Sequence, residues 1–366
     1  MTRLVEWWWR TRWGWLVILG PVLCYSSLLY SMDLVGLAAD RDAYFRLVDP
    51  RTAFRSGVEL DLMSMAGRME YALVSALYVL VAGFSILWAL PRILARPRNP
   101  FGGFFGLLLA VGFSVFLYYV YSVSEYNIRV AFADDILKLG EQAGAVPPIG
   151  VSFAPFGLLM YDGQMPQSVM LERMHSVVYL IGNTAPWVLI VYMAMLASFE
   201  PRMLGKEEKR ALRLRMTHLQ IGMALAALNI VLSVAYLRTM MAWPVKLFEE
   251  ELATIFLFAA TRYAAVLGAL GSLMLITVLA PAYYALNQHF DRVAEHELLA
   301  AGDDDGYVSF QERLAWRSKH GLLLSSQQAI TAAAAVLAPL LTAPTLEGAT
   351  EQGRPASQYE QSVIGG

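Results

Sequence analysis

The sequence predicts an all-α fold: a polytopic integral membrane bundle of six transmembrane helices with a small cytoplasmic helical appendage. Three observations carry this expectation. Six apolar stretches, at about 15–32, 71–90, 101–121, 174–197, 217–237 and 262–286, match the roughly 20 helical residues that cross a hydrocarbon core about 30 Å thick. The stretches are continuously apolar rather than alternating, so they do not read as the strands of a barrel. Of 366 residues, 57% are hydrophobic and 16% charged, with a mean hydropathy of +0.48. An ordinary soluble domain is about a quarter charged.

Residues 1–286 are expected to hold all six spans. Arg10 and Arg12 precede the first, and Ala38 and Ala39 follow it, which superficially fits a secretion signal. The apolar run is too long and the small pair too distant, so an uncleaved helix is expected. Trp7, Trp8, Trp9, Trp13 and Trp15 fit an aromatic belt at the inner interface. The single cysteine, Cys24, makes no intramolecular disulfide or cysteine-based zinc site and reads as a small buried hydrophobe. The outer loop of about 33–68 mixes charges with Phe54, Leu60 and Leu62, the pattern of an amphipathic segment on the interface or the bundle.

The second outer loop, about 124–172, contains a Pro- and Gly-rich middle that nonetheless holds Phe153, Phe156, Leu159 and Tyr161. A solvated loop would not keep such a run, so these residues are expected to form a docking surface. In span four, Asn183 and Thr184 precede Pro186; in span five, Asn229 and Ser233 are the polar residues. Proline frees a backbone carbonyl, and amides in lipid seek hydrogen bonds, so both sets suit interhelical bonding or a substrate path. Arg262 follows the apolar segment 252–261, which includes Ile255, Phe256 and Phe258. Tyr263 and Tyr283 are 20 residues apart, about 30 Å of helix, which places Arg262 at the outer boundary and Ile255, Phe256 and Phe258 outside the lipid as a second partner surface.

Residues 287–344 read as a cytoplasmic helical region. A helix continues to about residue 300, AGDDDG breaks it, and Ser309 with Glu312 has capping-box spacing. The segment 322–341 carries Ser325, Ser326, Gln327 and Gln328 and is expected against the inner membrane face rather than as a seventh span. Residues 345–366 read as a disordered tail. Counted through Lys319 with the N-terminus inside, inner segments carry 16 basic and 11 acidic residues, and outer segments carry 11 and 16. The positive-inside rule therefore puts both termini in the cytoplasm. Arg supplies 23 of 28 basic residues, a GC-rich bias that suits a bacterial inner membrane.

A net charge of −2 offers no basic field for nucleic acid. No P-loop, HExxH, nucleophile elbow or Rossmann glycine pattern occurs, and no cofactor is expected. His289 and His296 are the candidate metal ligands, but they stand about 10 Å apart along a helix and need a third element to complete a site. Titratable groups do not converge elsewhere, so catalysis is the least supported class. The leading expectation is a non-catalytic membrane subunit or scaffold of a larger assembly, partnered by the lipid bilayer and by other membrane proteins or further copies of itself. The alternative is a channel or transporter for a small solute, ion or lipid-like substrate, with Asn183, Pro186, Asn229 and Arg262 as its path.

Overall fold

The computed structural model describes residues 12–23, 53–55, 57–95, 106, 108, 111–112, 114–115, 128–151, 163–198, 206–301 and 308–320. They form α1 (Arg12–Leu23), α2 (Gly57–Leu94), α3 (Ile128–Gln142), a two-stranded antiparallel pair β1 (Ile149–Val151) and β2 (Gly163–Met165), α4 (Gln167–Ala197), α5 (Lys206–Val245), α6 (Glu250–Ala301) and α7 (Phe310–Lys319). Trp7 to Trp9, Cys24, Phe153, Phe156, Leu159, Tyr161 and the segments 322–341 and 345–366 lie outside the described residues.

Four helices, α2, α4, α5 and α6, are long and apolar enough to cross a membrane, and the chain is an integral membrane protein on that ground. They contain the second, fourth, fifth and sixth predicted spans. The first is described only over α1, and the third only at six positions, all helical. Each long helix has a window without Asp, Glu, Lys or Arg: 71–91 in α2, 174–197 in α4, 216–237 in α5 and 263–290 in α6. The shortest is about 31 Å long at the helical rise, enough for the hydrocarbon core.

Side-chain pairings set the relative directions. Ser64 Oγ donates to Gln167 Oε1 at 3.3 Å, and Tyr78 packs on Gly182, so α2 and α4 run parallel. The Tyr71 and Tyr236 hydroxyls pair at 3.1 Å, and Asn229 Nδ2 donates to Ser85 Oγ at 2.8 Å, so α5 runs antiparallel to α2. Ile230 packs on Gly271, and Lys209 pairs with Glu297 at 2.5 Å, so α6 is antiparallel to α5. These registers bring Arg68, Arg173, Arg238 and Arg262 to one level within about a helical turn, here called the outer end.

Beyond that level the molecule departs from the sequence expectation. The segment 57–68, predicted as part of an interfacial loop, is the first three turns of α2. The cause is its spacing: Leu60, Ser64, Gly67 and Tyr71 recur on one buried face, and a helix presents them together to Gln167 and Trp243. The predicted loop 124–172 likewise holds α3, the β pair and the start of α4. These pieces form an outer cap around Phe54, Ile136, Leu137, Leu171, Trp243, Phe248 and Phe256. Residues 53–55 lie against the tight α5–α6 turn, where Arg55 N donates to Leu247 O at 3.0 Å and Glu249 N to Ala53 O at 2.8 Å. The turn's backbone groups are thereby satisfied away from any helix.

The start of α4 shows how one element holds another. Pro166 occupies the cap position and offers no side-chain acceptor. Glu141 of α3 supplies it instead, accepting from Ser168 N at 3.0 Å and Ser168 Oγ at 2.8 Å. A carboxylate here meets both the free N–H groups and the positive end of the helix dipole. Glu141→Ala is expected to lower stability by about 1 kcal/mol, read by thermal unfolding in detergent.

At the other end, α6 is described as far as Ala301, the predicted break at 302–306 lies outside the described residues, and α7 opens with the predicted capping box. Ser309 Oγ accepts from Glu312 N at 3.3 Å, and Ser309 N donates to Glu312 Oε2 at 2.8 Å. Two side chains dock α7. Trp316 is buried with Lys209 Nζ 5.2 Å from its ring centroid, and Arg317, nearly buried over Phe290, pairs with Asp291 at 3.2 Å and with Asn287. A hydrogen bond to a charged group contributes about 1.5–3 kcal/mol. Arg317→Ala is therefore expected to speed proteolysis between α6 and α7 by roughly ten- to a hundredfold, with cleavage in the outer cap unchanged.

Candidate functional site

A cavity of about 180 Å³ lies inside the bundle between α4, α5 and α6, with Pro21 of α1 and Tyr78 of α2 completing the wall. Local sequence explains the opening. Pro186 has no N–H for the helical ladder and interrupts α4 at this level, with two other lining residues, Asn183 and Trp187, beside it. Across from it, Gly271 lets α6 approach closely: a Cβ there would run into Ile230. Three of the four predicted path residues, Asn183, Pro186 and Asn229, line this one cavity, together with Ser233, Tyr78, Tyr179 and Tyr236. Among the described residues the remaining wall is apolar, and no Asp, Glu, Lys, Arg or His contributes to it. Apart from Pro21, the lining residues fall inside the charge-free windows of the four long helices.

Asn229 is only 1% exposed. Its Nδ2 donates to Ser85 Oγ and to Leu225 O, each at 2.8 Å, and those acceptors fix which way the amide faces. Its Oδ1 has no hydrogen-bond partner among the described residues, nor has Asn183 Nδ2. A buried amide group left unmade costs about 1–3 kcal/mol. Both atoms are closed to a water-sized probe, so they lie behind the cavity wall rather than on its surface.

The cavity's outer edge is built from residues that sequence reasoning did not single out. Tyr236, part of the lining, meets Tyr71 OH at 3.1 Å and His175 Nδ1 at 2.8 Å. His175 stacks on Tyr236 at 6.0 Å, and Tyr71 stacks on the buried Trp243 at 5.7 Å. The available signal was spacing: Tyr71 with Tyr78, and His175 with Tyr179, each return to one helix face. Toward the other end of the bundle, His218 Nδ1 and Tyr192 OH pair at 2.7 Å, beside Trp88.

The other candidates are placed elsewhere. Arg262 is exposed at the outer end, its Cζ 4.9 Å from the Phe258 ring centroid, and it does not line the cavity. That position agrees with the tyrosine spacing and removes Arg262 from the polar path. Phe256 is corrected as a partner-surface residue. It is buried between Phe132 and Phe248, at 5.5 and 5.4 Å, while Ile255 and Phe258 remain exposed. At 100° per residue, Ala253, Phe256 and Ala260 share the inward face, and Ile255 and Phe258 fall on the other.

His289 and His296 are not brought together as a metal site. His289 is buried and His296 exposed, and among the described residues no group of three or more His, Cys, Asp or Glu could hold a metal ion.

Comparison with protein-family models, curated proteins and solved structures returned no match.

Proposed function

We propose that this protein is a six-span channel- or transporter-class protein of the bacterial inner membrane that binds a small solute midway across the bilayer. One observation carries the reading: Asn183, Pro186 and Asn229, on two different helices, line one cavity inside the bundle.

Two features support the finer topology. Because α2 and α4 are parallel, the chain between them must return across the bilayer, and 101–121 is the apolar stretch available for it. α1 runs antiparallel to α6, with Trp13 against Tyr284 at 4.9 Å and Gly20 against Thr277. The first crossing therefore starts at the inner end, and the inner excess of basic residues makes that end cytoplasmic. On this reading α7 and both termini are cytoplasmic.

In reconstituted vesicles, small uncharged solutes are expected to equilibrate faster with the wild type than with empty vesicles. Asn183→Leu should cut that rate at least about tenfold, the loss expected for one charge-free hydrogen-bonding position worth roughly 1.4 kcal/mol. Equal rates for wild type and empty vesicles would contradict the reading.

A second reading, a non-catalytic membrane subunit or scaffold, is favoured by apolar side chains exposed above the outer arginine level. Val58 is 75%, Leu62 62% and Ile255 63% exposed there, where lipid does not reach. It predicts a native mass in mild detergent well above one chain of 40.6 kDa plus its micelle.

A further inference from the structure

We infer that the outward face of α2 is a dimerisation seam on which a second copy of this chain docks, with α2 parallel to α2. The inference rests on the second reading above, a subunit of a larger assembly, and names the partner and the surface. At the outer end Val58, Leu62, Met65 and Met69 are each more than half exposed. At about 100° per residue they fall within about 60° of one another. Leu73, Leu80, Phe84 and Leu87 continue the same exposed face toward the inner end. The stripe is about 44 Å long against a hydrocarbon core about 30 Å thick, so roughly 15 Å of it stands above Arg68 without lipid to cover it. The charges of these outer turns are held off the stripe. Glu59 is paired with Arg55, Glu70 with Lys246 at 2.9 Å, and Arg68 Nε donates to Ser64 O at 3.2 Å. With Asp61, these three stand about 80–100° round the helix from the middle of the stripe.

Length selects the partner. Whatever covers the stripe must cross the bilayer beside α2 and overshoot it by the same distance. The α2 helix of a second copy does so at every level when a two-fold axis runs along the membrane normal. The spacing suits such a parallel pair. Val58, Leu62, Met65, Met69, Ala72 and Ala76 stand alternately four and three residues apart, the seam of a two-stranded coiled coil. Ala72 and Ala76, both exposed, let the two backbones approach where the pair enters the lipid. The area is sufficient as well. Eight large apolar side chains that leave roughly 80 Å² each uncovered offer about 600 Å² per copy, or about 1,200 Å² in all, where stable complexes begin. The comparable face of α6 does not qualify, because Glu251 and Arg262 share it with Ile255 and Phe258.

Single cysteines in a full-length Cys24→Ser chain test the seam in native membranes. On oxidation, Leu62→Cys is expected to give a disulfide-linked dimer of twice 40.6 kDa, while Ile255→Cys, equally exposed on α6, stays monomeric. Failure of Leu62→Cys to link would overturn the inference and leave the face to lipid, to this chain or to another protein. Linking of Ile255→Cys to the same extent would also overturn it, by marking random collision. A Leu62→Glu, Met65→Glu double variant should halve the native mass in mild detergent. It should leave thermal unfolding unchanged, because both side chains are already exposed. A native mass above one chain that the double variant does not lower would remove the α2 seam and leave the assembly reading standing. A wild type at the mass of one chain, with no Leu62→Cys link in membranes, would remove both.

Discussion

Trp243→Ala is expected to lower stability by about 3–5 kcal/mol, the range for deleting a large side chain from a packed core. Trp243 is 1% exposed and packs from α5 against α2. Its ring stacks on Tyr71 and fills the space that Gly67 leaves open on α2, where a Cβ would collide with the indole. Removing it leaves a void that α2 cannot close, because Glu70 is held to Lys246 at 2.9 Å and residues 53–55 are tied to the α5–α6 turn. The cap's other large residues, Phe54, Phe248 and Phe256, sit around the same core. The loss should therefore be cooperative across the cap. Chemical denaturation followed by tryptophan fluorescence reads it directly, and a change under about 1 kcal/mol would show that the cap is not packed as described.

Gly182→Leu is expected to have the second large effect, through both stability and the cavity. Gly182 is where α4 meets the ring of Tyr78 on α2, and any Cβ there would enter the Tyr78 ring and hydroxyl. Overpacking by even a few methylenes costs about 1–3 kcal/mol. Here the obstacle is an aromatic ring packed between two helices and not the free end of a flexible chain. Tyr78 also lines the cavity beside Tyr179 and Tyr236. Displacing it should both separate α2 from α4 and remove solute binding. Gly83, five residues along α2, meets nothing within 4 Å of an added Cβ and supplies the control. Gly83→Ala is expected to leave unfolding temperature and binding unchanged within error. Equal behaviour of the Gly182 and Gly83 variants would contradict the α2–α4 packing.

The membrane helices were legible because lipid imposes a one-dimensional rule: a long enough run without charge spans. The exposed position of Arg262 and the Ser309–Glu312 capping box followed from equally local signals. The outer cap did not. Leu60, Ser64 and Gly67 look like the apolar part of a mixed loop until Gln167 and Trp243, more than a hundred residues away, arrive to bury them. Phe256 was misassigned for a related reason, since hydrophobicity outside the membrane indicates that something covers a side chain but not whether the cover is the same chain. The cavity was half legible. Asn183, Pro186 and Asn229 were visible as polar interruptions of apolar runs. Their convergence depended on helix register, and Tyr71, Tyr78, His175, Tyr179 and Tyr236 were concealed because aromatic residues in a span read equally well as packing or as belt.

The account depends on the outer cap and α7 facing opposite sides of a bilayer, with the cavity between them. Single cysteines at the exposed positions Glu59, Gln142 and Gln311, in a chain with Cys24 replaced by serine, test this with a membrane-impermeant maleimide. In spheroplasts, positions 59 and 142 should react at once and position 311 only after the membrane is permeabilised. Reaction of 142 and 311 from the same side would contradict it.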